Sequence, residues 1–214
     1  MEMQTRTCNI DLEVEILATR WQRISMKING EQHEHVVSAA VSDMFGDLVD
    51  VMYEMYIEAN DDSRASRVKY LNDNEKKPFT ITGITACLDW DNEGEITSWR
   101  FARQLYTEEI LLQIEVDYDY GERICRYTVP YFDMCYAVAK AATAVLRQTG
   151  VIGYHYLGEI DSIDIHHLLY IKHLGIFKKP ISLSPMLGHL DDRYTSGDKV
   201  TSFADEIDLL LFEM

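Results

Sequence analysis

The chain has 214 residues, a formal net charge of −16 at pH 7, and a composition that is 47% hydrophobic and 11% aromatic. That apolar content can bury a substantial core, so it excludes a globally disordered chain and suits one domain over residues 1–214. Thirty-six acids against twenty bases argue against binding to a nucleic-acid backbone and favour either solubility or a basic partner.

The sequence shows neither a secretory signal nor a membrane span. Its amino terminus, MEMQTRTCNIDLEVE, lacks a basic start followed by an apolar stretch, and nowhere do about 18 apolar residues run together. The cysteines form no CxxC or zinc-ribbon spacing. We therefore predict a cytoplasmic protein with reduced thiols and no membrane partner, with two disulfide bridges as the alternative if a signal has been removed.

A β-meander is predicted at the start of the chain. Apolar and polar residues alternate over residues 12–18 and again over 24–28, which is the period of a half-buried strand. Asn29 and Gly30 follow, and both residue types tolerate the positive φ of a hairpin turn. A short third strand is predicted after this turn, over residues 31–37.

The apolar period changes to that of a helix over residues 41–59, with Ser38 or Ser42 as the predicted cap. Residues 60–79 are polar and break the pattern, so they predict a long connection. Four more strands are predicted over residues 80–90, 96–101, 110–118 and 123–129, and tight turns join them.

A second helix is predicted after Pro130, ending at Gly150, and residues 151–214 are predicted as a helical C-terminal extension with a helix over residues 165–174. The element order is therefore ββ(β)-α-ββββ-α-α. It predicts an α+β fold in which an antiparallel sheet of roughly six strands has helices packed on it.

Acidic residues line one face of the predicted helix of residues 41–59, and no Lys or Arg lies among them. At 100° per residue they fall within about 80° of arc. Their mutual repulsion costs roughly 1–3 kcal/mol, whereas burial of the opposite apolar face contributes on the order of 12–24 kcal/mol before entropy is subtracted. We therefore expect the helix to form with these acids on its surface: Asp43, Asp47, Asp50, Glu54, Glu58 and Asp61.

The negative charge is also concentrated in blocks. Nine acids and no Lys or Arg lie between Lys27 and Arg64, and two shorter base-free blocks follow. The simplest interpretation is a set of solvated faces, neutralised by basic residues of neighbouring strands or of the 60–79 connection. The functional hypothesis is an inhibitor or immunity-type protein that binds a basic protein, such as a cationic nuclease, through the six acids of the helix and Tyr53.

Two alternatives remain open. Asp47, Asp50 and Glu54 could bind Mg²⁺ or Mn²⁺ in a divalent-metal-dependent hydrolase, because carboxylates at this helical spacing converge on a hard cation. Such a site normally takes ligands from a second element, which the sequence does not identify. A homo-oligomeric structural protein is the other alternative, with the apolar residues 207–214 as its contact surface.

Histidines supply two further candidate metal sites. The motif DSIDIHH at residues 161–167 places two acids beside His166 and His167, and His33 and His35 would lie on the same side of a strand. No GxSxG, P-loop, GxGxxG or HExxH motif is present. The sequence therefore assigns no catalytic residue, and it favours a binding protein over an enzyme.

Overall fold

The computed structural model describes residues 9–17, 21–38, 43–57, 83–91, 96–104, 111–118, 121–149, 163–178 and 208–209. The predicted connection of residues 60–79 and most of the predicted C-terminal extension lie outside these residues. The elements, in chain order, are β1 (Ile10–Leu17), β2 (Trp21–Ile28), β3 (Glu31–Ser38), α1 (Met44–Ile57), β4 (Gly83–Asp91), β5 (Ile96–Gln104), β6 (Leu111–Tyr118), β7 (Gly121–Pro130), α2 (Tyr131–Thr149) and α3 (Ile165–Phe177).

All strand pairing in the described part of the chain is antiparallel, which confirms the predicted α+β class and element order, including the third strand. The strands form two sheets, β1-β2-β3 and β4-β5-β6-β7, where the sequence predicted one sheet of roughly six strands. The helix α1 and the chain after it interrupt the succession of hairpins between β3 and β4, so the pairing stops there.

The register of the first sheet places two histidines on its inner face. Asn29 and Gly30 have φ of 52° and 91°, as the tight turn between β2 and β3 requires. His33 pairs with Met26, and His35 pairs with Ile24. Because side chains alternate along a strand, both imidazoles share the face that carries these buried apolar residues.

This inner face packs on the second sheet. The Nε1 of Trp99 in β5 donates to the Nε2 of His35 at 3.3 Å. The Nε2 of His33 lies 2.5 Å from the hydroxyl of Tyr127 in β7, and that hydroxyl donates to the Glu31 carboxylate. Trp90, Trp99 and the two histidines therefore form a buried polar-aromatic layer between the sheets.

The helix α2 is buried around most of its circumference, and it contacts β1, α1 and α3. The helix α3 approaches the backbone of α2 closely at one glycine. A Cβ on Gly175 of α3 would lie 2.6 Å from the backbone nitrogen of Tyr136, so only glycine fits there. The exposed residues of α2 form one narrow stripe: Tyr136, Lys140, Ala144, Arg147 and Gln148.

A buried arginine holds the C-terminal end of α1. Arg103 of β5 donates from Nη1 to the carbonyl of Met55 at 2.8 Å, and its guanidinium lies over the rings of Tyr56 and Tyr131. Burial lowers the pKa of Arg103. A cation at this end of a helix is favourable, because the last carbonyl groups carry partial negative charge.

None of the helices in the described ranges is long and apolar enough to cross a lipid bilayer.

Candidate functional site

The first acid of the predicted stripe caps the helix. Asp43 is 8% exposed, and its Oδ1 accepts hydrogen bonds from the backbone N–H groups of Phe45 at 3.2 Å and Gly46 at 3.1 Å. These are donors that a helix start leaves without intrahelical partners. The expected cap at Ser38 is wrong, because Ser38 ends strand β3 and Asp43 supplies the capping oxygen. The other expected cap, Ser42, lies outside the described residues.

The second acid of the stripe contacts the second sheet. The Nε1 of Trp90 in β4 donates to Oδ2 of Asp47 at 3.3 Å. Trp90 is fully buried and Asp47 is half-buried, so this bond satisfies an indole N–H that would otherwise cost free energy. Asp47 therefore helps to attach α1 to the sheet.

The third acid reaches an element that lies 117 residues away in the chain. Oδ1 of Asp50 lies 2.6 Å from Nδ1 of His167, at the start of α3. The Asp50 side chain is 45% exposed, and the His167 side chain is 23% exposed. The two groups thus form a short, charge-assisted contact at the edge of the α1–α3 interface.

Aromatic stacking reinforces this contact. The ring of Tyr53 lies on the ring of His167, with 3.8 Å between centroids and 19° between planes. The same tyrosine makes edge contacts with His166 and Tyr170. Burial, followed by the nearby Asp164 carboxylate, raises the pKa of Tyr53, so the phenol stays protonated at neutral pH.

The helix α3 begins within the DSIDIHH motif of residues 161–167. Asp164 is the N-cap residue, and its Oδ1 accepts from the backbone N–H groups of His166 at 2.8 Å and His167 at 3.3 Å. Its second oxygen, Oδ2, lies 3.8 Å from Nε2 of His167. Capping therefore occupies one carboxylate oxygen and directs the other towards the imidazole.

These residues form a group of possible metal ligands. One ligand atom from each of Asp164, His166 and His167 can be chosen so that all three atoms lie within 4.8 Å of one another. Asp164 and His166 are exposed, and His167 is half-buried. Among the described residues this is the group of three possible ligands that lie so close together, and Asp47, Asp50 and Glu54 do not form such a group.

Glu54 lies one helical turn beyond Asp50 on α1. It is exposed and has no polar partner within the described residues. Together with the residues of α1 and α3 that contact His167, it forms a surface that we name the α1–α3 patch. Glu58 and Asp61, which the sequence predicts on the same acidic helix face, lie outside the described residues. The α1–α3 patch consists of Asp50, Tyr53, Glu54, Asp164, His166 and His167.

The other histidine pair proposed as a metal site, His33 and His35, is buried in the core. His33 and His35 are 2% and 7% exposed, and their ring nitrogens contact Tyr127 and Trp99 between the two sheets. Burial, followed by repulsion from His33, lowers the pKa of His35 to about 4. The imidazole of His35 is therefore neutral at physiological pH and accepts the Trp99 hydrogen bond.

A basic residue from a neighbouring strand does neutralise acids, as the simplest interpretation expected, but it does so on the first sheet. Arg23 of β2 binds Glu15 at 2.7 Å and Glu34 at 3.2 Å. On the α1–α3 patch, the residue that meets Asp50 is His167. The acidic helix face is therefore joined to α3 by an imidazole.

Asp50 and the DIHH motif of residues 164–167 are both visible in the sequence, but their spacing does not show that they meet. The signal that could have linked them is the capping pattern. An N-capping Asp places the three residues after it in the first helical turn, and for Asp164 these include His166 and His167. Which helix lies beside this turn depends on packing alone.

Comparison of the chain with models of protein families, with curated proteins and with solved structures gives no match.

Proposed function

We propose that this protein is an acidic, cytoplasmic interaction protein of the inhibitor or immunity type, and that its α1–α3 patch binds a basic protein. The observation that carries this proposal is the composition of the patch. Asp50, Glu54 and Asp164 carry exposed or half-exposed carboxylates, and those of Asp50 and Asp164 lie beside His167, whose ring stacks on Tyr53.

The patch lacks basic residues of its own. No Lys or Arg occurs in α1, and α3 has none before Lys172, which is fully buried. Carboxylates in such a group attract a cationic surface over about 8–10 Å at ordinary salt concentrations. They raise the association rate and disfavour acidic partners, while a rigid aromatic pair supplies packing area at the centre.

The roles of the predicted binding residues differ. Asp43 and Asp47 support the proposal indirectly, since one caps α1 and the other attaches it to Trp90. Asp50, Glu54 and Tyr53 are the residues that a partner would contact. Glu58 and Asp61 stay predictions.

Two matched variants test the proposal. Glu54→Gln and Glu13→Gln each remove one exposed carboxylate that has no polar partner among the described residues, but Glu13 lies on β1, outside the patch. Basic proteins retained from lysate at about 50 mM salt, with chelator present, would be identified, purified and titrated against each variant at about 50 and 500 mM salt.

We expect Glu54→Gln to weaken binding by up to about fivefold at low salt, because an exposed ion pair contributes at most about 1 kcal/mol. Glu13→Gln should leave the affinity unchanged. Equal losses would show that the partner responds to net charge alone, which would overturn the patch. Retention of no basic protein at low salt would overturn the interaction function itself.

The two alternatives receive less support. A hydrolase built on Mg²⁺ or Mn²⁺ at Asp47, Asp50 and Glu54 would compete with the contacts that Asp47 makes to Trp90 and Asp50 makes to His167. The apolar segment of residues 207–214, which would join copies of a structural protein, lies outside the described residues apart from residues 208–209. Both stay predictions.

A further inference from the structure

We propose that Asp164, His166 and His167 bind a divalent first-row transition metal such as Zn²⁺, and that Asp50 is the positioning residue of this site. The inference does not depend on the proposed partner, since the metal would bind the isolated protein. It begins from the three ligand atoms that lie within 4.8 Å of one another.

The orientation of His167 leaves one of its ring nitrogens available to a metal. Its Nδ1 lies 2.6 Å from the Asp50 carboxylate, which has no proton to donate and so accepts a hydrogen bond from the N–H of that nitrogen. The proton therefore stays on Nδ1, and the lone pair of Nε2 is directed away from Asp50, where a metal can bind it. A carboxylate behind an imidazole in this way is the usual support of a metal-binding histidine, because it fixes the tautomer and raises the basicity of the ligating nitrogen.

This second nitrogen faces another ligand. Nε2 of His167 lies 3.8 Å from Oδ2 of Asp164. Two ligand atoms at about 2.0–2.1 Å from a tetrahedral zinc lie roughly 3.3 Å apart. This pair of atoms therefore needs to close by only about 0.5 Å, which a small rotation of the His167 side chain supplies.

The cap of α3 holds the carboxylate in place for this role. Oδ1 of Asp164 accepts the two backbone N–H groups of the first turn, at 2.8 and 3.3 Å. A carboxylate that is fixed by two hydrogen bonds loses little freedom when its other oxygen binds an ion. Folding of α3 thus positions the ligand before the metal arrives.

The donor set indicates the class of metal. Two imidazoles and one carboxylate favour Zn²⁺ and its neighbours over Mg²⁺, which prefers oxygen ligands. The His166 ring is adjacent, with 5.7 Å between its centroid and that of His167. Three protein ligands leave a coordination position for water, which is the arrangement of reactive rather than purely structural zinc sites.

Calorimetric titration of the tag-free, chelator-treated full chain with Zn²⁺ tests the site, and Co²⁺ absorption reports its geometry. Two variants remove ligands while preserving local structure. Asp164→Asn keeps a good N-cap residue, and His167→Asn keeps a donor towards Asp50. The matched control is His173→Asn, because His173 lies on the same helix but outside the ligand group.

We expect one Zn²⁺ per chain, a loss of roughly 100-fold or more in affinity for either ligand variant, and no change for His173→Asn. Asp50→Asn should weaken binding by about 10–100-fold while the melting temperature of the metal-free protein changes little. Absence of Zn²⁺ binding by the wild type would overturn the proposal. Equal Zn²⁺ affinities of the wild type and both ligand variants would also overturn it. An unchanged Zn²⁺ affinity of Asp50→Asn would overturn the positioning role of Asp50.

Discussion

Protonation of His35 should destabilise the fold as the pH falls, and the surroundings of this residue set the size of the effect. The imidazole is 7% exposed between the two sheets, where its Nε2 accepts a hydrogen bond from Trp99. Burial and the adjacent His33 lower its pKa to about 4. A charged imidazole at this position would lose hydration and could no longer accept the Trp99 bond.

The coupling between proton binding and folding sets how the free energy of unfolding changes with pH. The unfolded chain binds the proton below about pH 6.5, whereas the folded chain excludes it until the pH approaches its own pKa of about 4. The stabilisation is therefore fully present above pH 6.5 and is lost as the pH falls. The difference in pKa corresponds to about 3 kcal/mol in total, of which about 2 kcal/mol is lost by pH 5.

The variant His35→Gln isolates this contribution, because glutamine offers an acceptor to Trp99 but does not titrate. Urea unfolding of both proteins between about pH 5 and 8 gives the free energy of unfolding at each pH. The stability advantage of the wild type should shrink by about 2 kcal/mol on going to pH 5. Parallel pH dependences would refute the burial argument, since other titrating groups are common to both proteins.

Three further predictions concern packing, capping and a buried charge. Gly175→Ala should reduce the free energy of urea unfolding by about 1–3 kcal/mol, since a Cβ would lie 2.6 Å from the backbone of Tyr136, and unchanged stability would contradict this contact. Asp43→Ala should cost about 0.5–2 kcal/mol in thermal unfolding and Asp43→Asn much less, because Asn also caps helices; equal losses would argue against the cap. Burial lowers the pKa of Lys172 to about 8, so stability should rise by about 2 kcal/mol between pH 7 and 9.5 from this residue, and Lys172→Met should remove that rise in circular-dichroism melts.

Local pattern was sufficient for most of the elements. The alternation of apolar residues predicted the strands, and the Asn29–Gly30 turn and its positive φ values confirm the first hairpin prediction. The helices α1 and α2 lie where the helical period placed them. These features depend on neighbours within a few residues of one another, which a single sequence displays directly.

The grouping of strands into two sheets was beyond that pattern. Each predicted strand pairs with a strand next to it in sequence, but no local signal shows whether β3 pairs with β4. The same limit applied to the histidines of β3. Alternation placed His33 and His35 on one side of a strand, and only the contacts with Trp99 and Tyr127 show that this side is buried.

The sequence by itself determined the element order, the acidic charge and the positions of the carboxylates along α1. Tertiary structure decided what those carboxylates do. Asp43 caps its own helix, and Asp47 accepts a hydrogen bond from the indole of Trp90. Asp50 contacts His167, which lies 117 residues further along the chain. Such partners are fixed by how helices and sheets pack to bury their apolar faces, and that packing has no signature in the spacing of the acids themselves.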